Sequence, residues 1–336
     1  MTTFELAPGL ITTRAEVAAA YGGSIHSGGI VVANESKMVF IYSDPSAGEE
    51  HGYTFDGRAQ DDQFGPLYHY TGAGRVGDQE MTDRNKALRD HAAAGRSVYL
   101  FVADGKVEGK NKGETLQRYI GQVVVDPVLP VVERHGPDRE GTLRRLFVFR
   151  MRPAEGALLA WTDKDNLKPA TQNTIVEVPT PSKTFVPAQA AKPKKTEQHK
   201  TAETTATIAA GIRVVKRREG QLVTAFEAHL VQLGHTVKSF QLTVEGEPDV
   251  LLPDLYDETD HVLYEAKGLT TRPNVRMAIG QLADYRRHMP EPKTLRVAVL
   301  LPSEPSPDVQ KMLAVENVAL VYQTADGFQG LPLPVA

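Results

Sequence analysis

The chain has no cysteine and a single tryptophan in 336 residues. Without thiols it can form no disulfide, no thiolate zinc site and no cysteine nucleophile, and a reducing, cytoplasmic setting is expected. No apolar run approaches the ~18 residues that a membrane-spanning helix needs. The first residues lack the basic, apolar and small-residue pattern of a secretory signal, so no membrane partner is expected. Surplus positive charge is also missing, since 38 Lys and Arg stand against 42 Asp and Glu. That balance does not advertise a nucleic-acid binder, but a carboxylate-rich site offsets a local basic surface and leaves the class open. The basic clusters are Arg144-Arg145 approaching Arg150, Lys192-Pro193-Lys194-Lys195, Lys216-Arg217-Arg218 and Arg286-Arg287. Each reads as a solvated face before it reads as a phosphate contact.

What is present is the composition of a globular protein, 41% apolar and 24% charged, in a length that suits two domains of roughly 130–170 residues. Up to 178, β-branched and aromatic runs at 30–33, 38–42, 97–102, 119–125 and 146–149 predict short strands separated by Gly, Pro and Asp. Two helices interrupt them, at 13–20 before Gly22-Gly23 and at 83–94 before Gly95. A curved sheet or partly open barrel with flanking helices is expected for this α+β half. Residues 179–206 are rich in Pro, Lys, Thr and Ala and poor in large apolar groups, the composition of a flexible tether. From 207 to 336 the order becomes helix, three strands, helix, strand, helix, strand, an α/β sandwich. Its first helix, 217–233, carries Leu222, Phe226, Leu230 and Leu233 on one stripe. A nearly continuous apolar run at 295–301 predicts a central strand covered on both faces.

Two constellations carry chemistry. In the C-terminal part, Pro253-Asp254 precedes a short turn, the strand ending Glu265-Ala266-Lys267, and then Gln281 and Tyr285 four apart on a helix. Residues two apart on a strand share a face, and the turn folds the strand bearing Asp254 back beside them. Two carboxylates and an amine then converge. Phosphodiester hydrolysis needs a cation to polarise the phosphate and lower the pKa of a water, and magnesium is usually held by a few carboxylates. Lys267 could orient or help deprotonate the water, or stabilise the transition state. Pro248-Asp249 is a second Pro-Asp pair; Asp254 is favoured over Asp249 because it sits opposite the Glu-x-Lys strand across a short hairpin.

These residues resemble the PD-(D/E)xK nuclease superfamily over most of 215–322. The resemblance implies a restriction-endonuclease-like fold and Asp254 and Glu265 as ligands of Mg2+, with Mn2+ able to substitute. It also implies Lys267 assisting the water, Gln281 and Tyr285 supporting the geometry of the site or contacting DNA, and Glu219 as an additional acid on the first helix.

In the N-terminal part, Gly52-Tyr53-Thr54-Phe55-Asp56 precedes Tyr70-Thr71-Gly72-Ala73-Gly74 and then Asn85-Lys86-Ala87-Leu88. A nucleotide everted from a duplex loses stacking and pairing worth a few kcal/mol, which a pocket must return. Tyr53 and Tyr70 could clamp it, Asp56 could accept from a cytosine amino group, and Gly72 and Gly74 would let backbone amides approach closely. His69 would face away, and Trp161 reads as a packing residue. In order and spacing these motifs resemble the SRA (YDG) domain over roughly 14–125. That resemblance implies a modified-base pocket built from Tyr53, Asp56, Tyr70, Thr71, Gly72, Gly74 and Asn85. Together the two resemblances imply a type IV-like, modification-dependent restriction endonuclease. Its expected partner is double-stranded DNA carrying 5-methylcytosine or 5-hydroxymethylcytosine, and a double-strand break would call for a homodimer. A non-catalytic reader and a repair nuclease indifferent to modification are the alternatives.

Overall fold

The apolar runs of the first half become one nine-stranded, mostly antiparallel sheet in the computed structural model, which describes residues 3–26, 28–108, 113–179, 199–331 and 333. In chain order the elements are β1 (Ile11–Thr13), α1 (Arg14–Tyr21), β2 (Ile30–Ala33), β3 (Met38–Ser43), α2 (Pro45–Gly48), β4 (Gly57–Asp62), β5 (Gly65–Thr71), α3 (Asp83–Arg89), β6 (Ser97–Lys106), β7 (Thr115–Val125), β8 (Val131–Pro137) and β9 (Leu143–Pro153). The sheet order is β2-β3-β6-β7-β9-β5-β4, with β1 added on β7 and β8 on β9. Helix α1 starts where a capping box forms between Thr13 and Glu16, and it ends at Gly22. One face of the sheet buries Ile30, Ile41, Leu100, Ile120 and Phe149 with Leu88 of α3. The other buries Phe40, Tyr42, Phe101 and Tyr119 with Val17 of α1. The expected helix at 83–94 ends at Arg89 and continues as turns to Gly95.

The remaining elements form a seven-stranded sheet in strict sequence order: β10 (Thr174–Val178), β11 (Val237–Thr243), β12 (Leu255–Asp257), β13 (Val262–Ala266), β14 (Arg296–Leu301), β15 (Ala319–Thr324) and β16 (Gly327–Gln329). Strands β13, β14 and β15 run parallel and the others antiparallel. Helix α4 (His199–Gln232) covers one face, where Leu222, Phe226 and Leu230 meet Val262, Tyr264 and Leu300. Helices α5 (Arg272–Arg286) and α6 (Pro307–Val315) cover the other, where Val275, Leu282 and Leu313 meet Leu263, Val299 and Leu301. Burial on both faces is what makes β14 read as a nearly continuous apolar run, broken only by Arg296.

The first break between two compact units falls at Lys168, ten residues before the boundary at 178 drawn from composition, and the second unit takes up the chain again from Thr207. The strand β10 pairs antiparallel with β11, Val176 opposite Gln241, so it belongs to the second sheet. The proline-rich segment that follows is a composition signal, but it falls after the structural break. The tether expected over 179–206 also changes character, because α4 already begins at His199. Ala, Glu and Lys are good helix formers, and the composition that looked unstructured carries no proline beyond Pro193. The part of that tether at 180–198 lies outside the described residues.

Candidate functional site

In the first unit, the two motifs are brought together by strand pairing. Gly57 lies opposite His69 across β4 and β5, and Tyr70 and Thr71 lie opposite Phe149 and Val148 of β9. This sets the Asp56 carboxylate against the end of β5: Oδ1 accepts from Thr71 N–H at 2.6 Å and Oδ2 from the Ser43 hydroxyl at 3.1 Å. The Tyr68 hydroxyl donates in turn to Ser43 at 2.9 Å. Burial pushes the Asp56 carboxyl up to about 7, against the bonds from Thr71 and Ser43 that favour the charged form. Asp56 is therefore a buried acid poised between donor and acceptor near neutral pH.

Tyr70 is 4% exposed and packs in the core of the sheet. Its hydroxyl is so close to Gly29 that any Cβ at 29 would stand 2.1 Å from it. Burial, then the neighbouring Asp56 and Tyr53, hold that hydroxyl well above its usual pKa. Tyr53 is half-buried, donates to the Gly74 carbonyl and lies under the Arg144 guanidinium, 5.5 Å from the ring centre. Gly52 turns the chain ahead of it at φ 72, with the Pro137 carbonyl occupying the space of a Cβ. The structure thus gathers Tyr53, Asp56, Tyr70 and Thr71 at one place, with Tyr53 the accessible ring and Tyr70 the enclosed one.

Gly72, Gly74 and Asn85 serve the loop that follows β5. Asn85 accepts from Ala73 N–H at 2.7 Å and donates to the Ala73 and Glu80 carbonyls at 2.9 and 2.8 Å. Gly72 leaves no room for a side chain, since a Cβ would meet Asn85 at 2.8 Å and Gln79 at 3.0 Å. A cavity of about 480 Å³ opens between this loop and the start of α3, lined by Gly74, Gln79, Arg84 and Asn85 among others. Two residues that sequence reasoning passed over complete the clamp. Buried Gln79 donates to the Gly72 carbonyl at 2.6 Å and accepts from Phe147 N–H at 2.8 Å. Arg144, read from sequence as part of a solvated basic face, is 2% exposed. It donates to the carbonyls of Gly74 at 2.7 Å, Gly77 at 3.1 Å and His51 at 2.8 Å. No spacing in the sequence marks it, since the burial along β9 does not alternate. Trp161 packs edge-on against Tyr68, as a packing residue does.

In the second unit, Glu265 is the last residue but one of β13 and Lys267 follows the strand, both on the face that α5 covers. Asp254, Glu265 and Lys267 are 6%, 3% and 5% exposed, so three charged groups are buried together. The Lys267 ammonium donates to Glu265 Oε1 at 2.7 Å, and Asp254 Oδ2 accepts from Ala266 N–H at 2.7 Å. Of the two Pro-Asp pairs, it is the second whose aspartate reaches the β13 backbone; Asp249 is half-buried. Gln281 donates to the Tyr285 hydroxyl at 3.0 Å. Burial first, then Glu265 and Asp254, raise the Tyr285 hydroxyl above its usual value, which sets the ring beside the acids. Glu219 reaches the same turn from α4, accepting from Gly268 N–H at 3.3 Å.

The donor set suits a hard dication, which takes oxygen ligands from one or two carboxylates and keeps several waters. Gln281 Oε1 adds a second observation: it is buried with no hydrogen-bond partner among the described residues, as a group awaiting a water's proton would be. A three-donor group elsewhere, His235, Asp257 and Asp260, has ligand atoms within 4.8 Å of one another. There Asp257 is already engaged, by His235 at 2.7 Å and by the N–H groups of Thr259 and Asp260, which is how a hairpin turn is capped.

Comparison with known proteins separates the two units. A family model described as "ScoMcrA-like, SRA domain" matches residues 9–172, just under half of the chain. Residues 9–172 thus match an SRA domain of ScoMcrA-like type, and Glu219, Asp254, Glu265, Lys267, Gln281 and Tyr285 lie outside that match. Among solved structures, the chain is similar to one described as "Sulfur binding domain and SRA domain of ScoMcrA complexed with phosphorothioated DNA", at 24% identity over 44% of this chain and 40% of that one, TM-score 0.32. It is also similar to "Structure of the Type IV phosphorothioation-dependent restriction endonuclease ScoMcrA", at 23% identity over 44% and 26%, TM-score 0.32. A third is the SUVH5 SRA domain with methylated CHH DNA, at 18% identity over 46% and 100%, TM-score 0.28. The chain thus spans 40% and 26% of the two ScoMcrA chains. No curated protein matches it.

Proposed function

We propose that this chain is a modification-dependent DNA endonuclease: its first unit reads a modified base, and its second hydrolyses the DNA backbone. The observation that carries the reading is the buried convergence of Asp254, Glu265 and Lys267 in a chain whose other unit is an SRA domain. Three buried charges have no structural need of one another that an apolar cluster would not meet more cheaply.

In the reader, an everted cytosine stacks on Tyr53, the accessible ring, and that stacking returns part of what eversion costs; Tyr70, 4% exposed in the core, offers it no free face. Asp56 faces its Watson–Crick edge, the ionised form accepting from the amino group and the protonated form donating to a ring nitrogen. The preferred substituent at C5 is methyl or hydroxymethyl. In the cutter, Asp254 and Glu265 would hold Mg2+, with Mn2+ as a substitute, and the ion when bound polarises the phosphate and lowers the pKa of a water. Lys267, already donating to Glu265, presents its ammonium where charge builds on the phosphoryl oxygens. Gln281 orients a water through its unpartnered carbonyl oxygen, and Tyr285 holds the Gln281 amide in place. One such site cuts one strand, so a double-strand break takes two copies.

The test is cleavage of matched plasmids, unmodified and carrying 5-methylcytosine, 5-hydroxymethylcytosine or phosphorothioate linkages, with and without Mg2+. Cutting confined to a base-modified plasmid and abolished by chelation is expected. Equal cutting of all four would leave a nuclease indifferent to modification, and tight binding without cutting under any metal would leave a reader alone.

A further inference from the structure

Gly268 follows the Glu265-Ala266-Lys267 strand end directly, and its surroundings are unusual. Its backbone does not adopt the left-handed conformation that calls for glycine, because its φ lies outside that range. What excludes any other residue is space. A Cβ at 268 would stand 2.2 Å from the Val215 carbonyl oxygen of α4, with the Val215 carbonyl carbon and Cγ1 both at 3.1 Å. A backbone atom of a long helix cannot swing aside as a side-chain tip can. The same turn donates its own N–H to Glu219 Oε2 at 3.3 Å, one helical turn further along α4. On the other side, Lys267 N–H is fixed to the Leu300 carbonyl at 3.0 Å. The turn is therefore gripped between β14 and α4, and the glycine sets how closely α4 approaches.

We infer that Gly268 is a positioning residue: its missing side chain lets α4 seat the Glu219 carboxylate beside the turn after Lys267, where it supports ion binding by Asp254 and Glu265. This rests on the metal-dependent reading of the cluster. Glu219 acts from outside the ligands, through the turn and through ordered water, and such outer partners typically govern metal affinity by about 10–100-fold. An added methyl must push α4 and the turn apart, which lengthens the Glu219–Gly268 bond and shifts Lys267 together with its neighbour Glu265.

The test uses the full chain and three readouts: Mn2+ binding by titration calorimetry without DNA, thermal unfolding, and Mg2+-dependent cleavage. G268A is expected to weaken Mn2+ binding about tenfold or more and to raise the Mg2+ concentration needed for half-maximal cutting, with binding to modified duplex unchanged. G280A is the control, an exposed helical glycine with nothing within 4 Å, and should leave both metal readouts alone. If G268A does not fold, E219Q and E219A take its place; weaker Mn2+ binding in both supports the seam, and unchanged binding in both overturns it. Unchanged ion affinity in a folded G268A overturns the inference while leaving the nuclease reading intact. Absence of Mn2+ binding in the unaltered chain overturns the nuclease reading itself.

Discussion

The two sites solve positioning in opposite ways. In the first unit, the residues that would touch a base sit on loops and strand ends, and neutral or buried polar groups tie that backbone down: Asn85 on Ala73, Gln79 on Gly72 and Phe147, Arg144 on three carbonyls. In the second, Glu265 stands near the end of the central strand β13 and Lys267 just past it, while Asp254, in the bend before β12, is tied to the β13 backbone through Ala266 N–H. A pocket that must admit a large flat ligand gains from a loop whose shape is locked but whose elements are irregular. The proposed metal ligands need placing within a fraction of an ångström, which anchoring to a rigid central strand provides.

Breaking the second arrangement should have the largest effect. Lys267→Ala is expected to slow cleavage by about 10²–10³-fold, roughly 3–4 kcal/mol of transition-state stabilisation, while modified-duplex binding in a gel-shift titration stays unchanged. Loss of duplex binding would show that the two sites are not separable. Next comes the loop clamp. Arg144→Met keeps the aliphatic stem but withdraws the donors from Gly74, Gly77 and His51. It should cost about 2–4 kcal/mol in denaturant unfolding of the first unit and loosen modified-base binding, yet leave Mn2+ binding untouched. If modified-base binding survives with stability unchanged, the clamp is ornamental and the comparison fails.

The contrast also explains what could be read in advance. The second unit was legible because its signals are periodic: the α4 stripe, the apolar β14 run and the two-apart Glu265 and Lys267 each follow from helix or strand geometry. Element order there agrees from α4 to β15. In the first unit, β4 escaped notice because Arg58, Gln60, Asp61 and Asp62 interrupt any apolar pattern, although Asp62 is spent on Arg150 and Arg152 rather than on solvent. Gln79 and Arg144 were invisible as site residues because their partners are backbone groups, the Gly72 carbonyl and Phe147 N–H for Gln79 and three distant carbonyls for Arg144, and no spacing in sequence encodes them. The place of β10 could not be read for a related reason: it pairs with β11, which starts about sixty residues further on, a long-range pairing that composition cannot register.

Asp56 gives the comparison a pH axis. Its folded pKa, pushed up to about 7 by burial, exceeds the ordinary value near 4 of an unfolded chain. The folded state thus prefers the proton. The stability this contributes is fully present below pH ~4 and is lost as pH rises through about 7. Asp56→Asn removes the titration while keeping an oxygen for Thr71 N–H. The stability of the unaltered chain relative to the variant should therefore fall by about 2–3 kcal/mol between pH 4.5 and 8 and then level off. Urea midpoints at several pH values check it, and a difference that does not change with pH would mean that Asp56 is ionised throughout.

The smallest effect isolates the steric argument within one unit. Gly268 and Gly280 lie twelve residues apart; one is buried against a helix carbonyl, and the other faces open space in the middle of α5. Glycine inside a helix costs backbone entropy that alanine does not, so Gly280→Ala should raise unfolding stability by about 0.5–1 kcal/mol. The same substitution at 268 adds the same methyl but meets Val215. Opposite signs in the two unfolding measurements would attribute the cost at 268 to the approach of α4. Equal signs would mean that the helix gives way freely, and the seating of Glu219 would then have to come from somewhere other than the missing side chain.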